Sequence, residues 1–131
     1  MVAGQNGPVK YMVLIYGNDA AWQVLHGEHG DRLPATMRVH DAVIEELTRT
    51  GELVANAGLT TVDARTIRSH DGVPAVTDGP FAEAKEYVAG FYLLECASAD
   101  RAAEIALRLP EAGLAPIEVR RVMDGAELRN V

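Results

Sequence analysis

Asp78-Gly79-Pro80-Phe81-Ala82-Glu83-Ala84-Lys85-Glu86 ends one β-rich run and leads into another. Gly79 and Pro80 both oppose strand continuation, so the chain must turn there. Just upstream, Arg65 to His70 and Val73 to Thr77 flank Asp71-Gly72. That dipeptide suits the left-handed φ angles of a two-residue hairpin turn. Just downstream, Glu86 to Cys96 reads as a long strand.

Working outward from this hairpin and strand, a helix flanks each side. Ser98 can cap one that runs through Leu109, with Ala102, Ile105, Ala106 and Leu109 on one side and Pro110 ending it. Pro34 can start the other, since its missing N–H would be unpaired there anyway. That helix runs to Thr50 with Met37, Val43, Ile44 and Leu47 at helical spacing, and Gly51 is a left-handed stop. Val9 to Tyr16, Glu52 to Leu59 and Ile117 to Met123 are the remaining strands. Gly17 to Leu33 is a long connecting segment. The order β-α-β, hairpin, β-α-β describes an α+β domain of the ferredoxin-like split βαβ plan, with two helices on one face of an antiparallel sheet. The domain is expected over residues 9–124, after a leader of residues 1–8 and before a C-terminal tail, 125–131.

The 131 residues suit one domain, and a chain of this size buries about two-thirds of its unfolded surface. Its 48% hydrophobic and 24% charged content are those of an ordinary globular chain. With a net charge of −7 and no basic stripe, nucleic acid is not an expected partner. Cys96 stands alone and cannot form an internal disulfide, which fits a reducing cytoplasm. Met1 to Pro8 lacks the basic start and apolar run of a secretory signal, and the apolar stretches are strand-sized, so no membrane span is expected.

Two strands are apolar on both faces. In the first, Tyr11, Val13 and Ile15 alternate with Met12, Leu14 and Tyr16; near residue 90, Val88, Tyr92 and Leu94 oppose Ala89, Phe91 and Leu93. A half-wet sheet alternates apolar with polar residues, and two helices cover one face only. The expectation is a homodimer through the open sheet face. The alternative is that Gly17 to Leu33 folds beneath the sheet and covers it.

His40 shares the helical series of Met37, Ile44 and Leu47, so its ring points with the apolar stripe toward the sheet. A buried imidazole needs a hydrogen-bond partner, and Asp78, at the start of the tight turn, is a candidate. A carboxylate so placed would hold the tautomer and make the other nitrogen more basic, giving a general acid or base facing a cleft. The plainer reading is a satisfied core histidine, with Asp78 capping its own turn. Tyr11, Tyr16, Phe81 and Tyr92 are candidate ligand-lining residues, although strand aromatics are commonly core. Lys85, beside Glu83 and Glu86, is a candidate for orienting an acidic substrate or else a solvated loop charge. His26, Glu28, His29 and Asp31 cluster in sequence, but a stable site needs three or four convergent ligands, and no metal is assigned. Without a Gly-rich phosphate loop, nucleophile elbow or closed metal set, no cofactor is expected. Cys96 reads as packing.

Taken with Gly90-Phe91-Tyr92-Leu93, the Asp78–Glu86 stretch resembles the core of the YCII-related DGPF proteins. Lys10 to Tyr16, the helix with His40, Gly51-Glu52-Leu53-Val54 and Ile117-Glu118-Val119-Arg120 fit the same pattern. The chain departs from it near residues 26–31, where such sequences usually carry a Ser-Pro-Glu-Glu helix start. The resemblance implies a fold of the dimeric α+β barrel type, clefts between sheet and helices, and a His–Asp pair as active site. It also implies small-molecule substrates, since some YCII relatives take part in breakdown of halogenated aromatics. Others are encoded beside extracytoplasmic-function sigma factors. Two functions are therefore expected to compete: a cofactor-free enzyme in which His40 and Asp78 move a proton on a small molecule, and a non-catalytic ligand-sensing or accessory module linked to a transcription regulator.

Overall fold

The computed structural model describes residues 9–26, 32–81 and 84–130. Along them run β1 (Val9–Gly17), α1 (Asp19–His26), α2 (Arg32–Thr50), β2 (Leu53–Gly58), β3 (Arg65–His70), β4 (Val73–Asp78), β5 (Tyr87–Cys96), α3 (Ala99–Leu107), a 3-10 turn (Pro110–Gly113), β6 (Ile117–Arg121) and α4 (Gly125–Arg129). Four strands form one sheet in the order β2-β5-β1-β6, and β3 with β4 form a separate hairpin. Every neighbouring pair in the sheet is antiparallel, with Val13 opposite both Tyr92 and Val119. This is the ferredoxin-like α+β fold, with β1 and β5 in the middle and the hairpin inserted between β2 and β5.

Local chemistry sets the boundaries. At the end of α2, Gly51 takes φ +80°, and the Glu52 N–H donates to the Leu47 carbonyl at 2.9 Å, closing the last turn. At the hairpin tip Asp71 and Gly72 both have positive φ, 52° and 81°, the pairing that matches a two-residue turn to strand twist. Ser98 caps α3 by accepting from the Arg101 N–H at 3.1 Å.

Three elements differ from expectation. α1 occupies part of the Gly17–Leu33 segment; Asn18 Oδ1 accepts from the Ala21 N–H at 2.8 Å and so caps it. In the expected tail, Asp124 and Glu127 form a reciprocal capping box that holds the single turn of α4. Pro110 does not merely end a helix. It opens the 3-10 turn, anchored by buried Leu109.

The core lies between the sheet and the layer of α2 and α3. Tyr11, Val13, Ile15, Tyr92, Leu94 and Cys96 face it from the strands; Val43, Leu47, Ala102, Ile105, Ala106 and Leu109 meet them from the helices and from the turn that follows α3. Full burial of each Val, Leu or Ile contributes about 1.5–3 kcal/mol. On α2 the buried stripe runs through Thr36, Val43 and Leu47, whereas Met37 is 49% exposed, so the inward face is rotated by about one residue from the expected series. His40 still lies on it.

On the opposite face Met12, Leu14, Phe91 and Leu93 are only half-buried. The described part of the Gly17–Leu33 segment, α1, packs against α2. Among the described residues no helix is long and apolar enough to cross a membrane.

Candidate functional site

His40 sits on α2 one turn before Val43, with its side chain 12% exposed. Both ring nitrogens are engaged. Nδ1 lies 2.7 Å from the Tyr92 hydroxyl, and Nε2 lies 2.7 and 2.9 Å from the two carboxylate oxygens of Glu111. The ring also stacks near that of Tyr92, with centroids 5.9 Å apart and planes inclined by 24°. Three elements build the site: α2 brings the imidazole, the middle of β5 the phenol, and the 3-10 turn the carboxylate.

The hydrogen-bond chemistry fixes a direction. An ionised Glu111 only accepts, so Nε2 carries the proton and donates to it. In the neutral ring Nδ1 is then the acceptor, and the Tyr92 O–H donates to it. Burial, followed by the negative charges of Glu111 and Asp41, pushes the Tyr92 pKa up to about 12. The phenol therefore stays protonated near neutrality and keeps its donor role. Glu111, His40 and Tyr92 form one hydrogen-bonded chain from a 17% exposed carboxylate inward to a phenol 3% exposed.

The structure does not bring Asp78 to His40. Asp78 ends β4, where hairpin register sets it opposite Arg65, and its Oδ1 lies 3.3 Å from Arg65 Nε on a side chain 94% exposed. The turn that follows is tied to the hairpin's own base. The Gly79 N–H donates to the Ala64 carbonyl at 2.7 Å, and the Thr66 hydroxyl donates to the Gly79 carbonyl at 2.8 Å. Phe81 sits on this base with the Arg68 guanidinium 5.2 Å above its ring. Lys85 is exposed.

Of the other expected residues, Tyr92 is in the site itself. Tyr11 is buried on the same sheet face, further along β1 and across from Arg121. Tyr16 is on the opposite face, where its hydroxyl donates to Glu118 at 3.1 Å, a bond that raises its pKa. The sheet itself separates Tyr16 from His40. Cys96 is buried beside Ser98, and burial pushes its thiol up, which suits packing. The His26 side chain, Glu28, His29 and Asp31 lie outside the described residues. Glu111 has no signal in the sequence beyond Pro110, whose role as a helix stop hides the 3-10 turn that carries it.

The molecule is thus a small ferredoxin-like α+β domain with a histidine–tyrosine–glutamate cluster set between helix layer and sheet. Residues 9–125 match the family model of the YCII-related domain. An uncharacterized protein of Rhizobium meliloti (strain 1021) is 39% identical over 103 residues, which cover 78% of this chain and 81% of that protein. The chain belongs to the YCII-related family.

Proposed function

We propose that the chain binds a small molecule at the His40 site and transfers a proton to or from it. The observation that carries this reading is the imidazole held at both nitrogens, by Tyr92 and Glu111, at the edge of the core. Glu111 fills the orienting role expected of Asp78: it fixes the tautomer and stabilises the imidazolium that forms when the ring takes a proton. Tyr92, kept protonated by burial, occupies His40 Nδ1, the nitrogen that takes the ligand's proton once that hydrogen bond gives way. Aromatic and phenolic acids are the first ligands to try, because the site sets the phenol and imidazole rings beside a core rich in apolar side chains.

The test has two stages. Thermal shift against a panel of small aromatic and phenolic acids identifies a binder; nuclear magnetic resonance in heavy water then follows exchange of its carbon-bound hydrogens. Wild type is expected to catalyse exchange, and His40→Ala and Glu111→Gln to slow it by roughly 100-fold or more, the usual worth of one positioned acid–base group. Full exchange in both variants would remove the site from the chemistry.

A second reading is a non-catalytic ligand sensor or accessory module. One observation favours it: every polar atom of the His40 ring is satisfied by the chain's own side chains, and the Tyr92 phenol is almost fully buried. Binding without exchange of any hydrogen would select this reading.

The functional unit we propose is a homodimer formed through the open sheet face. Support comes from Met12, Leu14, Phe91 and Leu93, which lie half-buried on the sheet face away from the core.

A further inference from the structure

We infer that Thr36 is a ligand-binding residue of the His40 site, and that its hydroxyl holds a ligand oxygen about one helical turn from the imidazole. The inference rests on the reading of His40 as a ligand site and adds the shape of the ligand to it.

Thr36 lies on α2 four residues before His40 and is 8% exposed. Residues so spaced share a helix face, and helical side chains lean toward the N-terminus, so a ring at position 40 leans over the turn that carries Thr36. The apolar core meets α2 through Val43, Ile44 and Leu47, all beyond His40. Thr36 is therefore buried outside that core. It lies in the half of α2 that follows α1 in the chain; α1 packs against α2, and its Ala21 is buried as well.

A threonine inside a helix commonly turns its hydroxyl back to a carbonyl three or four residues earlier. The other two threonines of α2 do so: Thr48 donates to the Ile44 carbonyl at 2.7 Å and Thr50 to the Leu47 carbonyl at 3.2 Å. Thr36 could reach Arg32 or Leu33 in the same way, yet among the described residues its hydroxyl makes no hydrogen bond. Every fully buried side-chain oxygen or nitrogen among those residues has a partner, so the Thr36 oxygen is not sealed in. It opens along the face that His40 shares.

Such a hydroxyl can donate and accept, and a ligand that excludes water from it must supply a partner or lose affinity. Four residues at about 1.5 Å rise put that partner about 6 Å from the atom that meets the imidazole. A benzene ring with one atom at each end spans this length. The ligand class is therefore an aryl compound with an oxygen para to the group that carries the exchanging hydrogen. A site built to pair a polar group also rejects the analogue that lacks it, more strongly than an apolar pocket does.

Calorimetric titration of the full chain with para-hydroxyphenylpyruvate and phenylpyruvate tests the assignment. The two differ by the para oxygen alone, and both carry exchangeable hydrogens on the carbon at the other end of the ring. Wild type is expected to bind the hydroxylated compound roughly tenfold or more tightly than its analogue. Thr36→Val, of nearly the same shape, should erase that preference, and Thr36→Ser should keep it. Without ligand, the urea midpoint of Thr36→Val should equal or exceed that of wild type, since no bond within the chain is lost. A lowered midpoint, or a preference that survives in Thr36→Val, overturns the role of Thr36; if His40→Ala still stops hydrogen exchange in heavy water, the His40 reading stands. Binding and exchange that both ignore His40→Ala overturn the two together. Binding of neither compound by wild type overturns the para-oxygen assignment and leaves His40 to be judged on the rest of the aromatic panel.

Discussion

Tyr92 ties the site to stability. Its pKa of about 12 lies above the ordinary value near 10, so the fold favours the protonated phenol. The sign follows: this stabilisation is complete below pH 10 and is lost as pH rises through 12. Tyr92→Phe removes the donor to a buried imidazole nitrogen and should cost about 1–2 kcal/mol at neutral pH. Between pH 10 and 12 wild type should lose about 2 kcal/mol relative to the variant, enough to erase or reverse that gap, since groups common to both cancel. Urea unfolding of the pair across that range checks it, and parallel pH curves would count against a buried, protonated Tyr92. At this scale the sequence was half legible. The apolar stripe of α2 placed His40 inward, but its partners lie 52 and 71 residues away on other elements. No local spacing encodes such a meeting. Asp78 begins a turn, which in sequence makes it a free carboxylate, but hairpin register gives it Arg65 instead.

Elements were more legible, because their signals are local. Asp71-Gly72 and Gly51 announced their turns through backbone conformations that side chains resist, and the structure has positive φ at all three. α1 and α4 escaped notice for a physical reason: one is eight residues and the other five, too short for a periodic apolar stripe. Their signals were the caps, Asn18 and the Asp124–Glu127 box. Gly90 had no visible role in the sequence beyond strand position. In the sheet it sits between Ile15 and Gly58, where a Cβ would lie 2.9 Å from the Ala57 carbonyl oxygen. β5 is paired on both sides and cannot shift aside. Gly90→Ala should therefore destabilise by about 1–3 kcal/mol, read as a lower urea midpoint with unchanged slope. A neutral result would mean that β2 moves freely at its edge.

At the scale of the whole molecule, the strand pattern argues for association more strongly than the single chain can satisfy. The open face pairs Lys10 with Glu95 across β1 and β5 and carries Glu118 and Arg120 on β6, so charge of both signs borders the apolar centre of Met12, Leu14, Phe91 and Leu93. Mixed charges of this kind let a face meet its own copy about a two-fold axis, despite a net charge of −7 on each chain. If folding and dimerisation are one equilibrium, the melting temperature depends on concentration. Each tenfold rise in protein is worth about 1.4 kcal/mol per dimer, or about 0.7 kcal/mol per chain. At the entropy of unfolding usual for a domain of this size, that moves the melting temperature up by roughly 2 °C per decade. Calorimetry from micromolar to hundreds of micromolar chain should trace this slope, and Leu14→Arg should flatten it. A wild-type melt that holds one temperature over the whole range would leave the half-buried sheet face to water.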